Sequence, residues 1–247
     1  MNAKRKSSRG ATAAPSRAAG APERIRKAGI ALFKRYGYHG TSVRALADAV
    51  GMEAASLYHH FPSKQKLLAD LFDRIMDELL EGQRQALAHD DGFEQRLRNF
   101  VRFHVLYHID RQDEAFVSHS ELRSLSTANR KRINAKRDRY EHTLRSFLAG
   151  GVETGEFEIH DVPIMTIAIL TMCSGVADWF TGRGRLTAEE VADEYAGIVL
   201  GLVHQGGGSG SGQRPIRRTR KTRAGTGQGG LAASASARPS WHTVITP

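Results

Sequence analysis

The sequence predicts an all-α protein, with a three-helix head carrying a helix-turn-helix and a six-helix body. Three observations predict it. Between residues 21 and 205, apolar residues recur at helical spacing, and no segment sustains a two-residue alternation. Proline occurs there only at positions 22, 62 and 163, each where a helix can begin. Residues 1–20 and 206–247, by contrast, are dominated by Gly, Ala, Ser, Thr and Arg. They hold too little apolar surface to offset the entropy of ordering. They read as a disordered basic arm and a disordered basic tail.

The helical stretch parses in order as 22–38, 43–50, 54–60, 63–88, 92–109, 112–124, 127–154, 162–181 and 188–204. The first helix offers Ile25, Ala28, Leu32 and Phe33 on one face, and Gly37 ends it. Val43, Leu46, Ala47 and Val50 form the stripe of a short second helix, and Gly51 supplies a tight turn. Leu57 and Phe61 anchor a short third helix. Two short helices joined by a glycine turn behind a supporting helix describe a helix-turn-helix.

In the fourth helix Ser63 caps a stripe running from Leu67 to Leu80. Helix 162–181 is apolar nearly all round, so it is expected to be buried on several sides. It lacks about 20 clean apolar residues, which favours a buried helix over a membrane span. Thr187-Ala-Glu-Glu190 is a capping-box signature before the last helix.

Composition narrows the function. The 247 residues are 40% hydrophobic and 25% charged, as in an ordinary globular protein. The lone cysteine, Cys173, excludes an intrachain disulfide framework and a cysteine-based zinc site. No secretory leader is evident at the N-terminus, so a cytoplasmic location is expected. The net charge of +10 is unevenly placed. Residues 1–20 carry five basic groups and 206–247 carry seven, with no acid in either. Residues 21–68 are net +5, and 69–205 are net −7. A basic N-terminal module before an acidic one suits a nucleic-acid-binding head on a body that binds something else.

The outward residues of the head give the candidate DNA contacts. Ser42 and Arg44 lie near the start of the second helix. Ala54 and Ala55 are small enough to let the third helix approach a groove floor. Ser56, Tyr58, His60 and Lys64 can reach phosphates, while Arg44 and His59 carry donors suited to guanine O6 and N7. On composition alone, a solvated face with incidental polar groups reads the same way.

In the body, Phe100, His104, Tyr107 and His108 fall close together on one helix. His104 and His108 could be metal ligands, with His119 or Glu121 as a third. Uncharged pocket walls explain the same spacing, and no metal or other cofactor is expected. A helical hydrolase or metalloenzyme using His104, His108 and His119 would need a nucleophile elbow, a Gly-rich phosphate loop or a His-Glu-x-x-His motif, and none appears. A nonspecific nucleic-acid-compacting protein driven by the basic tails is the other rival class.

The run Gly37-Tyr38-His39-Gly40-Thr41-Ser42-Val43-Arg44-Ala45-Leu46-Ala47, then Val50-Gly51, then Ala55-Ser56-Leu57-Tyr58-His59-His60-Phe61-Pro62-Ser63-Lys64, resembles the DNA-binding signature of TetR-family transcriptional regulators. The likeness covers roughly residues 23–70. It implies a dimeric, all-helical regulator, usually a repressor, with a helix-turn-helix DNA-binding domain at 21–66 and a ligand-binding and dimerisation domain at 67–205. It implies a base-reading role at Arg44, and backbone or base contacts at Ser56, Tyr58, His60 and Lys64. Ala54 and Ala55 depart from members with larger polar residues there, which shifts specificity toward Arg44, His59 and DNA shape.

A second, more diffuse likeness lies in Glu121-Leu122-Arg123, Asn129-Arg130, Ile133, Arg137-Asp138, Tyr140 and Gly155-Glu156-Phe157. These resemble a TetR subgroup that controls lipid and sterol-ring catabolism and responds to acyl-CoA thioesters. The expected ligand pocket is Phe100, His104, Tyr107, His108, Phe116 and Tyr140, closed by Ile169, Met172 and Trp179. Arg98, Arg102, Arg130 and Arg137 are the cations expected to meet the CoA phosphates. The alternative within the family is a regulator of drug efflux that responds to lipophilic compounds.

Overall fold

A computed structural model describes residues 20–88 and 91–204. The basic arm and the basic tail therefore lie outside the described residues, apart from Gly20. The described chain is helical throughout: α1 (Ala21–Gly40), α2 (Val43–Ala49), α3 (Ala54–His60), α4 (Lys64–Leu87), α5 (Phe93–Asp110), α6 (Gln112–Ser120), a 3-10 turn (Leu122–Ser124), α7 (Thr127–Glu153), α8 (Val162–Ser174), α9 (Val176–Trp179) and α10 (Ala188–His204).

Two compact units form. The first takes the chain up to Arg74 together with Phe116–Arg130. The second takes Ile75–Ala115 and the chain from Lys131 on. Segment 116–130, which the sequence assigns to the body, thus packs with the helix-turn-helix.

In the first unit, α1 starts on Pro22 and breaks at Gly37, whose φ of 71° is costly for any residue with a Cβ. Its buried stripe is Ile25, Gly29, Ile30 and Phe33, whereas Ala28 and Leu32 are only half-buried. Ser42 caps α2 by accepting a hydrogen bond from Ala45 N–H at 3.0 Å. Gly51, at φ 65°, makes the turn into α3. Leu46, Leu57, Phe61, Leu67 and Leu68 close the small core.

In the second unit, α10 packs along α5. Leu97, Phe100 and Val101 of α5, Leu144 and Leu148 of α7, and Val199 of α10 are fully buried. The capping box forms reciprocally: Glu190 N–H donates to Thr187 Oγ1 at 3.2 Å, and Thr187 N–H donates to Glu190 Oε2 at 2.7 Å.

Two of the expected helices are divided. The stretch 112–124 ends as α6 at Ser120, and Glu121 leads into the separate 3-10 turn. The stretch 162–181 breaks at Gly175 into α8 and the short α9. It is also less enclosed than its composition predicts. Ile164 is 65% exposed and Trp179 52%, and Ile198 on α10 is 49% exposed. By length and composition, 162–179 could cross a membrane, and only a third of it is buried within the chain. Its apolarity is therefore distributed over a covered face and an uncovered one, which sequence periodicity cannot separate when both are apolar.

Candidate nucleic-acid interface and effector site

The helix-turn-helix presents a polar surface. Ser42 and Arg44 are exposed on α2, and Ala55, Tyr58, His59 and His60 on α3, with Ala54 and Ser56 half-buried beside them. Leu57 is the fully buried side chain of α3, so one face of this helix is anchored and the opposite face is open.

Lys64 is placed differently from the expectation of a free phosphate contact. Its Nζ donates to the carbonyls of Tyr38 and Thr41, both at 2.6 Å. It also lies 4.2 Å from the centroid of the Tyr38 ring. Partial burial lowers its pKa, and Glu121 pulls the other way. Lys64 thus satisfies carbonyls left open where α1 terminates, and ties the start of α4 to them.

Two further residues complete this joint, and neither stands out as such in the sequence. Glu121 Oε1 accepts from Tyr38 N–H at 3.1 Å, and its Oε2 accepts from Ser124 Oγ at 2.7 Å. The Gln65 side-chain amide donates to Ser124 O and accepts from Ser126 N–H at 3.0 Å, spanning Leu125. The Glu121 carboxylate and the Gln65 amide therefore hold 121–126 against the end of α1 and the start of α4. Glu121→Gln keeps the shape but removes the charge from both hydrogen bonds, so it should lower the stability of the first unit by about 1 kcal/mol. Urea unfolding followed by circular dichroism checks this, and an unchanged midpoint would dismiss the joint.

The second unit encloses a polar relay. His104 is 3% exposed. Its Nδ1 lies 2.8 Å from Tyr140 Oη, and its Nε2 lies 2.9 Å from Ser174 Oγ. The His108 ring stacks on His104 at 4.3 Å between centroids, and its Nδ1–H donates to the His104 carbonyl at 2.8 Å. Phe100 adds an apolar wall 5.7 Å from His104. Burial raises the Tyr140 pKa well above the ordinary phenol value, so its hydroxyl stays protonated as a donor or acceptor. The sequence reading named His104 and Tyr140 but missed Ser174. Its one signal is a small polar residue at the end of a mostly apolar helix.

The remaining expected site residues divide. Tyr107 is buried, and its hydroxyl donates to Glu78 Oε2 at 3.2 Å rather than joining the relay. Ile169 is fully buried and Met172 half-buried on α8. Phe116 lies in the first unit and is 44% exposed, its ring 6.0 Å from Lys34 Nζ. Trp179 faces outward and stacks on Tyr195 at 6.4 Å.

Three of the four expected phosphate-binding arginines lie in the second unit. Arg98 pairs with Glu94 at 3.9 Å, and Arg102 pairs with Asp193. Arg137 is buried, and desolvation pushes its pKa down to about 10. Arg130 belongs to the first unit. In the metal alternative, both ring nitrogens of His104 are already engaged by hydroxyls.

Comparison with known proteins divides the chain into two parts along the sequence. Residues 25–71 match the family model described as bacterial regulatory proteins, tetR family. Residues 90–203 match the tetracyclin repressor-like C-terminal domain. The chain is 28% identical over 183 residues to the HTH-type transcriptional repressor KstR2 of Mycobacterium tuberculosis, covering 72% of this chain and 90% of that protein. It is 36% identical to the solved TetR-family regulator PfmR of Thermus thermophilus, with a TM-score of 0.66, covering 72% of this chain and 97% of the other. It is also similar to AibR, solved in complex with isovaleryl coenzyme A and operator DNA, at 27% identity and a TM-score of 0.65, covering 72% and 96%. The glycine-turned helix pair and the helical second unit have the same explanation: this chain belongs to the TetR family of bacterial transcriptional regulators, which bind DNA sequence-specifically and are not enzymes.

Proposed function

We propose that the protein is a dimeric repressor released from its operator by an acyl-CoA thioester bound in the second unit. The observation that carries the effector reading is the closed relay of His104, Tyr140 and Ser174 inside an apolar helical core. An acyl group suits the apolar walls, and a thioester carbonyl suits a neutral donor at the relay. Entry of the ligand exchanges one set of hydrogen bonds for another, while the acyl chain contributes burial. The name of the KstR2 repressor and the isovaleryl-CoA bound to AibR support the same class of function and effector.

On DNA, α3 lies in the major groove with Tyr58, His59 and His60 outward, and Arg44 reads a base from the start of α2. Ser42, Ser56 and the backbone at Ala54 and Ala55 position the helix against phosphates. The exposed apolar side chains of Ile164, Trp179, Ile198 and Leu202 meet their counterparts in a second copy. Gly197 and Gly201 have no neighbouring atom within 4 Å of an added Cβ, which leaves room for close helix approach.

A ligand that prefers the DNA-incompetent state a hundredfold shifts the operator equilibrium by about 2.7 kcal/mol. Operator binding followed by fluorescence anisotropy should therefore fall about a hundredfold on titration with one of the CoA thioesters of fatty, branched and ring-derived acids. His104→Leu should blunt the response and leave operator affinity unchanged. Release by lipophilic cations and by no thioester would replace this reading with that of an efflux regulator.

A further inference from the structure

On the second unit, α4 and α5 leave an open groove of about 630 Å3 that the effector reading does not use. Its aromatic wall is Phe103 and Tyr107, 6.0 Å apart. Gly82 floors it, and a methyl group there would overlap the Phe103 ring. Its rim carries the carboxylates of Asp77, Glu78, Glu81 and Asp110.

The groove already receives one guanidinium of its own. Arg111 lies 4.5 Å from the Tyr107 ring centroid, and its Nε is 3.2 Å from Glu78 Oε2 and 3.5 Å from Glu114 Oε2. A planar cation over an aromatic face and against a carboxylate is favourable in this geometry. Lys136 neutralises Asp77 at 2.7 Å, and Glu81 pairs with Arg84 at 2.6 Å along the exposed side of α4. Asp110 stands exposed at the end of α5.

The chain itself supplies a matching occupant. Residues 214–223 hold Arg214, Arg217, Arg218, Arg220, Lys221 and Arg223, and no acid. Helix α10 ends at His204, whose Nε2 is 3.8 Å from Glu94 Oε2 at the start of α5. From Glu94 to Asp110 the helix advances about 24 Å at 1.5 Å per residue. The chain from His204 to Arg214 can reach about 33–36 Å when extended, which covers that distance.

We propose that segment 214–223 docks in the α4–α5 groove of its own chain and that this docking withholds it from nucleic acid. The proposal rests on the DNA-binding reading only for one of its two readouts. The groove competes with phosphates for the same guanidinium groups, so it limits the sequence-independent part of DNA affinity and leaves base reading to the helix-turn-helix.

The first test uses the full chain and no DNA. A water-soluble carbodiimide activates a carboxylate, the Lys221 amine displaces it to form an amide, and the reagent leaves as its urea. Digestion and mass spectrometry should find Lys221 joined to Glu81 or Asp110. In a mixture of 14N- and 15N-labelled chains, the links should fall within one chain. Links only between chains, or none to the groove, would overturn the proposal.

The second test is a cycle read by anisotropy on random duplex at low salt. If the segment is docked for about 70–90% of the time, Glu81→Gln with Asp110→Asn should raise affinity about three- to tenfold. The same pair introduced with Arg217→Ser, Arg218→Ser and Arg220→Ser should raise it no further. An equal gain in both backgrounds would mean that lost acidity acts at a distance, and no gain in either would mean that the segment is not held there. Both results refute the docking. The carbodiimide result stands whether or not the operator reading holds.

Discussion

Phe157→Ala should destabilise the second unit by about 3–5 kcal/mol, the range for emptying a buried aromatic site. Phe157 is 2% exposed, and its ring lies 6.0 Å from Phe93, 6.4 Å from Phe147 and 6.0 Å from His204. It therefore joins the start of α5, the end of α7 and the end of α10. The backbone places it: Gly155 turns the chain at φ 79°, Phe157 N–H donates to Gly151 O at 2.9 Å, and Glu158 N–H donates to Val203 O at 2.7 Å. The ring then rests on Gly151, where a Cβ would overlap it. Gly151→Ala should accordingly cost about 1–3 kcal/mol from the other side of the same contact. Urea unfolding monitored by circular dichroism measures both. A loss below about 1 kcal/mol for Phe157→Ala would mean that the cluster collapses without strain and that this joint is not what holds the three helices together.

Arg44→Ala should weaken operator binding by about 1–3 kcal/mol and relax preference at one base pair, the usual cost of losing a bidentate base contact. Arg44 is exposed on α2, and Ser42 rather than Arg44 caps that helix, so the fold should not change. The discriminating measurement is the ratio of operator to random-duplex affinity at fixed salt. If both fall alike, Arg44 contacts phosphate and does not read sequence.

Local signals in the chain account for much of this molecule. The spacing of Val43, Leu46 and Ala47, the Ser42 cap and the Gly51 turn are each written within a few residues, and the structure forms them as written. The Thr187–Glu190 capping box is equally local. The motif from Gly37 to Lys64 placed the chain in its family without tertiary information. Where two signals share one stretch, local reading merges them. Thus Gly175 divides one apolar run into α8 and α9, and Glu121 falls between α6 and a 3-10 turn.

The site residues divide along the same line. Periodicity brings His104 and His108 together because they are one turn apart on α5. Nothing local brings Tyr140 and Ser174 to the two nitrogens of His104, from 36 and 70 residues away. Lys64 looks like a phosphate contact from its place in the motif, and only the fold shows its ammonium donating to the carbonyls of Tyr38 and Thr41. The sequence by itself determined the all-helical class, the helix-turn-helix and the family, because helix period, caps and turn glycines act over a few residues. Only the tertiary structure decided which unit holds 116–130, which arginines are buried or paired, and which hydroxyls meet His104. Those outcomes depend on which faces of distant helices pack together, and burial and partner choice are properties of that packing.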